Sequence, residues 1–83
     1  MSTTFLKNLI PLNTIKLGSK CKVNLLIAEG IIRRRFLDLG LINGTEVKAL
    51  VKSPSGDPVA YLIRGAVIAL RSEDAAKILV ETI

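Results

Sequence analysis

The side chains of this chain with the most capacity for chemistry are cationic. Arg33, Arg34 and Arg35 follow one another in a segment that reads as helix, and Lys7, Lys16, Lys20 and Lys22 precede them. Guanidinium groups recognise carboxylates and phosphates through paired N–H donors, which is the chemistry of binding rather than of bond breaking. Successive helical residues are turned by about 100°, so the three arginines do not share one direction. Arg34 is spaced to meet Asp38 at i+4 as a surface ion pair. Arg33 and Leu37, also i and i+4, set a cation beside a leucine, a composition that suits a contact surface. Arg33, Arg34, Leu37 and Leu41 are therefore the candidate partner-binding residues of this region. Asp57 is a further candidate, in a turn between Pro54 and Pro58 that suits a presented loop and, preferably, a plain well-made turn.

Other chemistries have little to stand on. The sequence has no His, no paired carboxylates on one element and no nucleophile beside a base, so no catalytic residues are assigned and the chain is not expected to be an enzyme. One Cys and seven scattered acids offer no metal-ligand cluster, and no glycine-rich loop leads into Lys and Ser or Thr; neither metal nor cofactor is expected. Cys21 alternates with Val23 and reads as a small buried hydrophobe. A basic N-terminal half on a small barrel is compatible with nucleic acid, yet Tyr61 is the one strand aromatic placed to stack, and no nucleic-acid partner is expected.

These residues need a scaffold, and 83 residues allow one compact domain. Hydrophobic residues make up 49% of the chain and aromatics 4%, so Val, Ile and Leu must fill the core. The net charge of +5 is uneven: residues 1 to 35 carry seven Lys/Arg and one acid, residues 36 to 83 five and six. No apolar run reaches the roughly 18 residues of a membrane span and no signal peptide is evident, so a cytoplasmic protein with no direct membrane span is expected.

Along the chain, Ile32, Phe36 and Leu39 fall at i, i+4 and i+7, the apolar stripe of a helix beginning near Gly30. Gly40 stands where a left-handed residue ends such a helix, and Gly44 closes a second turn. Strands are predicted at about Lys20 to Ala28, with Cys21, Val23 and Leu25 on the core face, and at Thr45 to Lys52, Val59 to Arg64, Val67 to Arg71 and Ile78 to Ile83. Ser53 to Pro58 is a hairpin tip, and Gly65 turns the next pair. Gly40, Gly44 and Gly65 are thus structural turns. Leu12 to Ile15 reads as one helical turn, and Ser72 as the cap of a short helix over Glu73 to Ala76. About five strands, one inserted amphipathic helix and a helical turn before the last strand make a mainly β, small barrel over residues 12–83. Residues 1–11, with Phe5, Leu6, Leu9 and Ile10, form an apolar N-terminal segment expected to dock on the body or on a second copy as a homo-oligomer contact.

The order Leu37-Asp38-Leu39-Gly40-Leu41-Ile42-Asn43-Gly44, then Gly56-Asp57-Pro58, then Val67-Ile68-Ala69-Leu70-Arg71 with Ala75, Ile78 and Val80, resembles the FeoA family from about Leu12 to Val80. Two departures stand out: Phe36 replaces the usual smaller aliphatic residue, and Asn43 a common proline. The resemblance implies an SH3-like barrel and a cytoplasmic, non-enzymatic accessory or regulator of ferrous iron transport. Its partner would be the cytosolic region of the membrane transporter FeoB, met at the inner face of the membrane. Transition-metal binding would enter through the family alone. The alternatives are an adaptor or self-associating module with another partner, or a nucleic-acid-binding small barrel.

Overall fold

A computed structural model describes residues 8–83 of the chain. Strand β1 (Ile10–Pro11) runs into a single 3-10 turn (Leu12–Thr14), followed by β2 (Lys20–Leu26), α1 (Gly30–Asp38), β3 (Glu46–Lys52), β4 (Val59–Ile63), β5 (Ala66–Leu70), α2 (Ser72–Ala75) and β6 (Ile78–Thr82). The strands form one sheet in the order β1-β6-β2-β3-β4-β5, and every pairing is antiparallel. This is the mainly β architecture the sequence predicts, with one strand more than expected. The addition is β1, where Ile10 lies opposite Val80 and Pro11 opposite Leu79. Two residues, one of them a proline, have no period that a sequence pattern reveals. Of the apolar N-terminal residues, Phe5 and Leu6 lie outside the described part, while Ile10 packs on the core.

Alternation fills the interior. Cys21 and Val23 of β2, Val47 and Ala49 of β3, Tyr61 and Ile63 of β4, and Ile78 and Val80 of β6 are all buried. Leu25 departs from the expected pattern and is 49% exposed. Between Val23 and Leu25 the partner strand β6 advances by one residue, from Val80 to Leu79, so Asn24 is the extra residue of a bulge. Such an insertion inverts the alternation beyond it and turns Leu25 to solvent.

Helix α1 buries Phe36 completely and packs Ile32 and Leu39 against the core, which stabilises the fold by about 2–3 kcal/mol for the phenylalanine alone. Its end is a Schellman motif: Gly40 N–H donates to Leu37 O at 2.9 Å and Leu41 N–H to Phe36 O at 3.0 Å. Gly40 takes φ +90°, and a Cβ there would collide with the Arg64 side chain. Gly44 and Gly65 also have positive φ.

Helix α2 corrects one expectation. Ser72 is its first residue and does not cap it; the Ser72 N–H donates instead to Asp57 Oδ1 at 2.7 Å, and the Ser72 hydroxyl accepts from Asn13 Nδ2 at 3.0 Å. The cap is thus supplied from the β3–β4 loop, which no local pattern announces.

Candidate partner-binding site

The bulge in β2 and the Schellman turn after α1 together build a rim around the helix. Leu25 is turned outward by the first, and Ile42 emerges beyond the second. Leu25, Leu37 and Ile42 are 49%, 41% and 50% exposed, and Ile31 at the start of α1 is 84% exposed. Arg33 Nη1 donates to Leu26 O at 3.3 Å, which lays the guanidinium stem along the end of β2. Asn43 Nδ2 reaches back to Asn24 O at 3.3 Å and ties the following loop to the bulge. Arg33, Leu37, Leu25, Leu26, Ile42 and Asn43 then border a hollow of about 190 Å³. Leu37 and Ile42 also border a second hollow, of about 560 Å³, with Gly40, Ile63, Arg64 and Ile68. The two residues form an apolar ridge between two depressions, with Arg33 bordering the smaller and Arg64 the larger.

Of the residues singled out from the sequence, Arg33 and Leu37 meet on this rim. Arg34 is exposed on the helix but borders neither hollow. It forms no ion pair with Asp38; the ion pair of α1 runs from Arg35 Nη2 to Asp74 Oδ2 at 3.8 Å. Leu41 is a correction. It is fully buried, because the Schellman turn places the residue after the glycine over the third residue from the helix end, here Phe36, so it packs the core instead of meeting a partner. Asp57 is engaged by its own chain, accepting from the Ser72 N–H at 2.7 Å and standing 3.9 Å from Arg71 Nη1, with 38% of its side chain exposed. Leu25, Ile42 and Asn43 join the rim without being among the binding candidates that the sequence offers. A bulge and a helix-terminating turn decide their exposure, and neither is visible in hydrophobic periodicity.

Among the described residues the titratable groups of the interior, Cys21 and Tyr61, are held in their neutral forms. Cys21 is fully buried with its thiol toward Val47 O at 3.5 Å, and burial pushes its pKa up to about 11. Tyr61 is pushed up to about 12, first by burial and then by the charges of Cys21 and Asp57. Among the described residues no three His, Cys, Asp or Glu side chains stand close enough to share a metal ion, and no helix is long and apolar enough to cross a membrane.

Residues 10–82 match the FeoA domain family. The chain is 35% identical over 72 residues to an Fe(2+) transport protein A/Fe(2+) transporter FeoB fusion protein of Porphyromonas gingivalis (strain ATCC BAA-308 / W83), a match that takes in 87% of this chain and 8% of that one. Its fold superimposes with a TM-score of 0.85 on a FeoA-like protein from Clostridium acetobutylicum, 38% identical, over 94% of this chain and 91% of the other. A FeoA from Stenotrophomonas maltophilia, complexed with zinc and described as an SH3 domain protein, is 28% identical and aligns with a TM-score of 0.76 over 84% of this chain and 87% of that one. The zinc is a property of that protein; here the sequence has no His and Cys21 is buried.

Proposed function

From the premise that this chain belongs to the FeoA family, we propose that it is a non-enzymatic accessory protein of ferrous iron transport that acts by docking on the cytosolic region of a FeoB-type transporter. The observation that carries this reading is the rim itself: an apolar ridge of Leu37 and Ile42, with Leu25 beside it and Arg33 at its end, exposed among the described residues. Exposed apolar residues with a cation at the margin have the make-up of an interface whose centre excludes water and whose edge sets orientation. The fusion protein adds support, since a domain similar to this one shares a polypeptide with FeoB there. In this reading the protein works in the cytoplasm beside the inner face of the membrane, and its effect on transport passes through contact rather than chemistry.

The test is a titration of the protein into the cytosolic domain of the FeoB from the same cell, with and without a GTP analogue. Saturable NMR shifts on α1, Leu25 and Ile42 are expected. Arg33→Glu combined with Leu37→Ala should weaken binding by about ten-fold or more, as loss of a central contact does. Undiminished affinity in the double variant would remove the rim from the interface.

A further inference from the structure

The outer face of the sheet carries a second feature: cations that the fold opposes to one another and, among the described residues, leaves without an ion pair. Lys20 of β2 stands directly opposite Lys48 of β3; Lys48 is opposite Leu62 of β4, and Leu62 opposite Val67 of β5. The neighbouring row behaves differently, because there Glu81, Lys22 and Glu46 alternate in sign. Like charges directly opposed across an antiparallel pair are unfavourable, so the Lys20–Lys48 pairing works against the fold. Among the described residues no carboxylate lies within ion-pair distance of Lys20, Lys48 or Arg64.

Those three cations border one open groove of about 440 Å³, with Leu62 among its lining residues and Glu46 its one acid. Arg64 is held there at a cost. It occupies the first position of the two-residue β4–β5 turn at φ +50°, with Gly65 at +84°, a conformation in which Asn or Gly is usual and a long side chain is not. Its stem passes over Gly40, where a Cβ would meet it. The hairpin and the turn after α1 thus hold the side chain at the edge of the groove that the two lysines also line.

We propose that this groove binds an extended acidic segment of a protein partner, whose carboxylates meet Lys20, Lys48 and Arg64 while an apolar side chain rests on Leu62. Charge complementarity selects an anion. The form of the site selects a peptide: Lys20 and Lys48 face each other across β2 and β3 while Arg64 stands at the β4–β5 turn, no glycine-rich loop adds backbone donors, and the same cross-strand row continues into Leu62 and the 66% exposed Val67, which a phosphate group would leave unused. The groove adjoins the α1 rim at Arg64, which borders both, and the proposal does not rest on the identity of the partner proposed for the rim.

The test uses the labelled protein and a synthetic acetylated peptide alternating Glu with Leu, alongside a Gln-for-Glu version, inorganic phosphate and phosphatidylglycerol vesicles. The acidic peptide should give saturable shifts centred on Lys20, Lys48, Leu62 and Arg64 that weaken by about ten-fold between low and physiological salt. Lys48→Glu should abolish them and leave the melting temperature unchanged or raised, because it turns a repulsive cross-strand pair into an attractive one; lost binding in that variant is then not lost folding. Lys48→Gln should give an intermediate loss. Equal shifts from the Gln peptide, undiminished binding by Lys48→Glu, or a preference for phosphate or vesicles over the peptide would each overturn the proposal.

Discussion

The corner around α2 and the rim around α1 carry similar side chains and use them in opposite ways. At the α2 corner Asp57 accepts from the Ser72 N–H and faces Arg71, Ser72 accepts from Asn13, and Asp74 faces Arg35. Its polar groups are spent on one another, joining the β3–β4 loop, the 3-10 turn and α1 to one short helix. On the rim, Arg33 makes a single long bond to a backbone carbonyl, and Leu37, Ile42 and Leu25 are about half exposed. Polar residues that hold a fold are saturated by their own chain. Those left unsaturated beside exposed apolar surface are the ones available to a partner.

The sharpest way to break this comparison lies within α1, between neighbouring residues. Phe36 is fully buried and Leu37 is not, so Phe36→Ala should cost about 3–5 kcal/mol in urea unfolding, whereas Leu37→Ala should cost no more than about 0.5–1 kcal/mol. A large loss from Leu37→Ala would mean the residue supports the fold and not a partner. Next in size is the α2 corner. Asp57→Ala removes the acceptor of the Ser72 N–H and the partner of Arg71, and should cost about 1–2 kcal/mol. Asp57→Asn keeps an oxygen at the cap and should lose less. By contrast Asp38→Ala, on an exposed aspartate, should stay within about 0.5 kcal/mol. Equal effects from Asp57→Ala and Asp38→Ala would erase the distinction between the two regions.

Much of this organisation is legible in the chain. Ile32, Phe36 and Leu39 mark the inward face of α1, Gly40 its end, and Ser53 to Pro58 the tip between β3 and β4, because each is a local pattern of 3.6-residue spacing or turn chemistry. The candidate site is legible only in half. Arg33 and Leu37 are neighbours by helical spacing, but Leu25 joins them through a bulge that depends on how β2 pairs with β6. Leu41 is lost from the site because the turn folds it onto the core. The partners of Asp57 and Arg35 lie 15 and 39 residues away in sequence, and the opposition of Lys20 to Lys48 exists only once a register is set. Local periodicity fixes which elements form and which way a helix faces. Non-local pairing decides which charges end up satisfied.

The smallest effect is expected inside the sheet, at Cys21, and none near neutral pH. Its thiol is raised from 9.0 to about 11 by burial alone, so the folded state holds the proton more tightly than the unfolded chain does. Stability from this group is therefore fully present below pH 9.0 and is lost as pH rises through about 11. The melting temperature should be flat from about pH 6 to 8 and fall above 9, where thiolate forms preferentially in the unfolded chain. Cys21→Ala should melt lower throughout, because it leaves a small void, yet fall less steeply with pH; Tyr61, raised to about 12, supplies the remaining slope. A thiol reagent at about pH 8 should label the native protein only as fast as the molecule opens. Labelling at the rate of a free thiol would place Cys21 within reach of solvent and return it to the set of residues open to chemistry, the set from which its complete burial between β3 and β6 removes it.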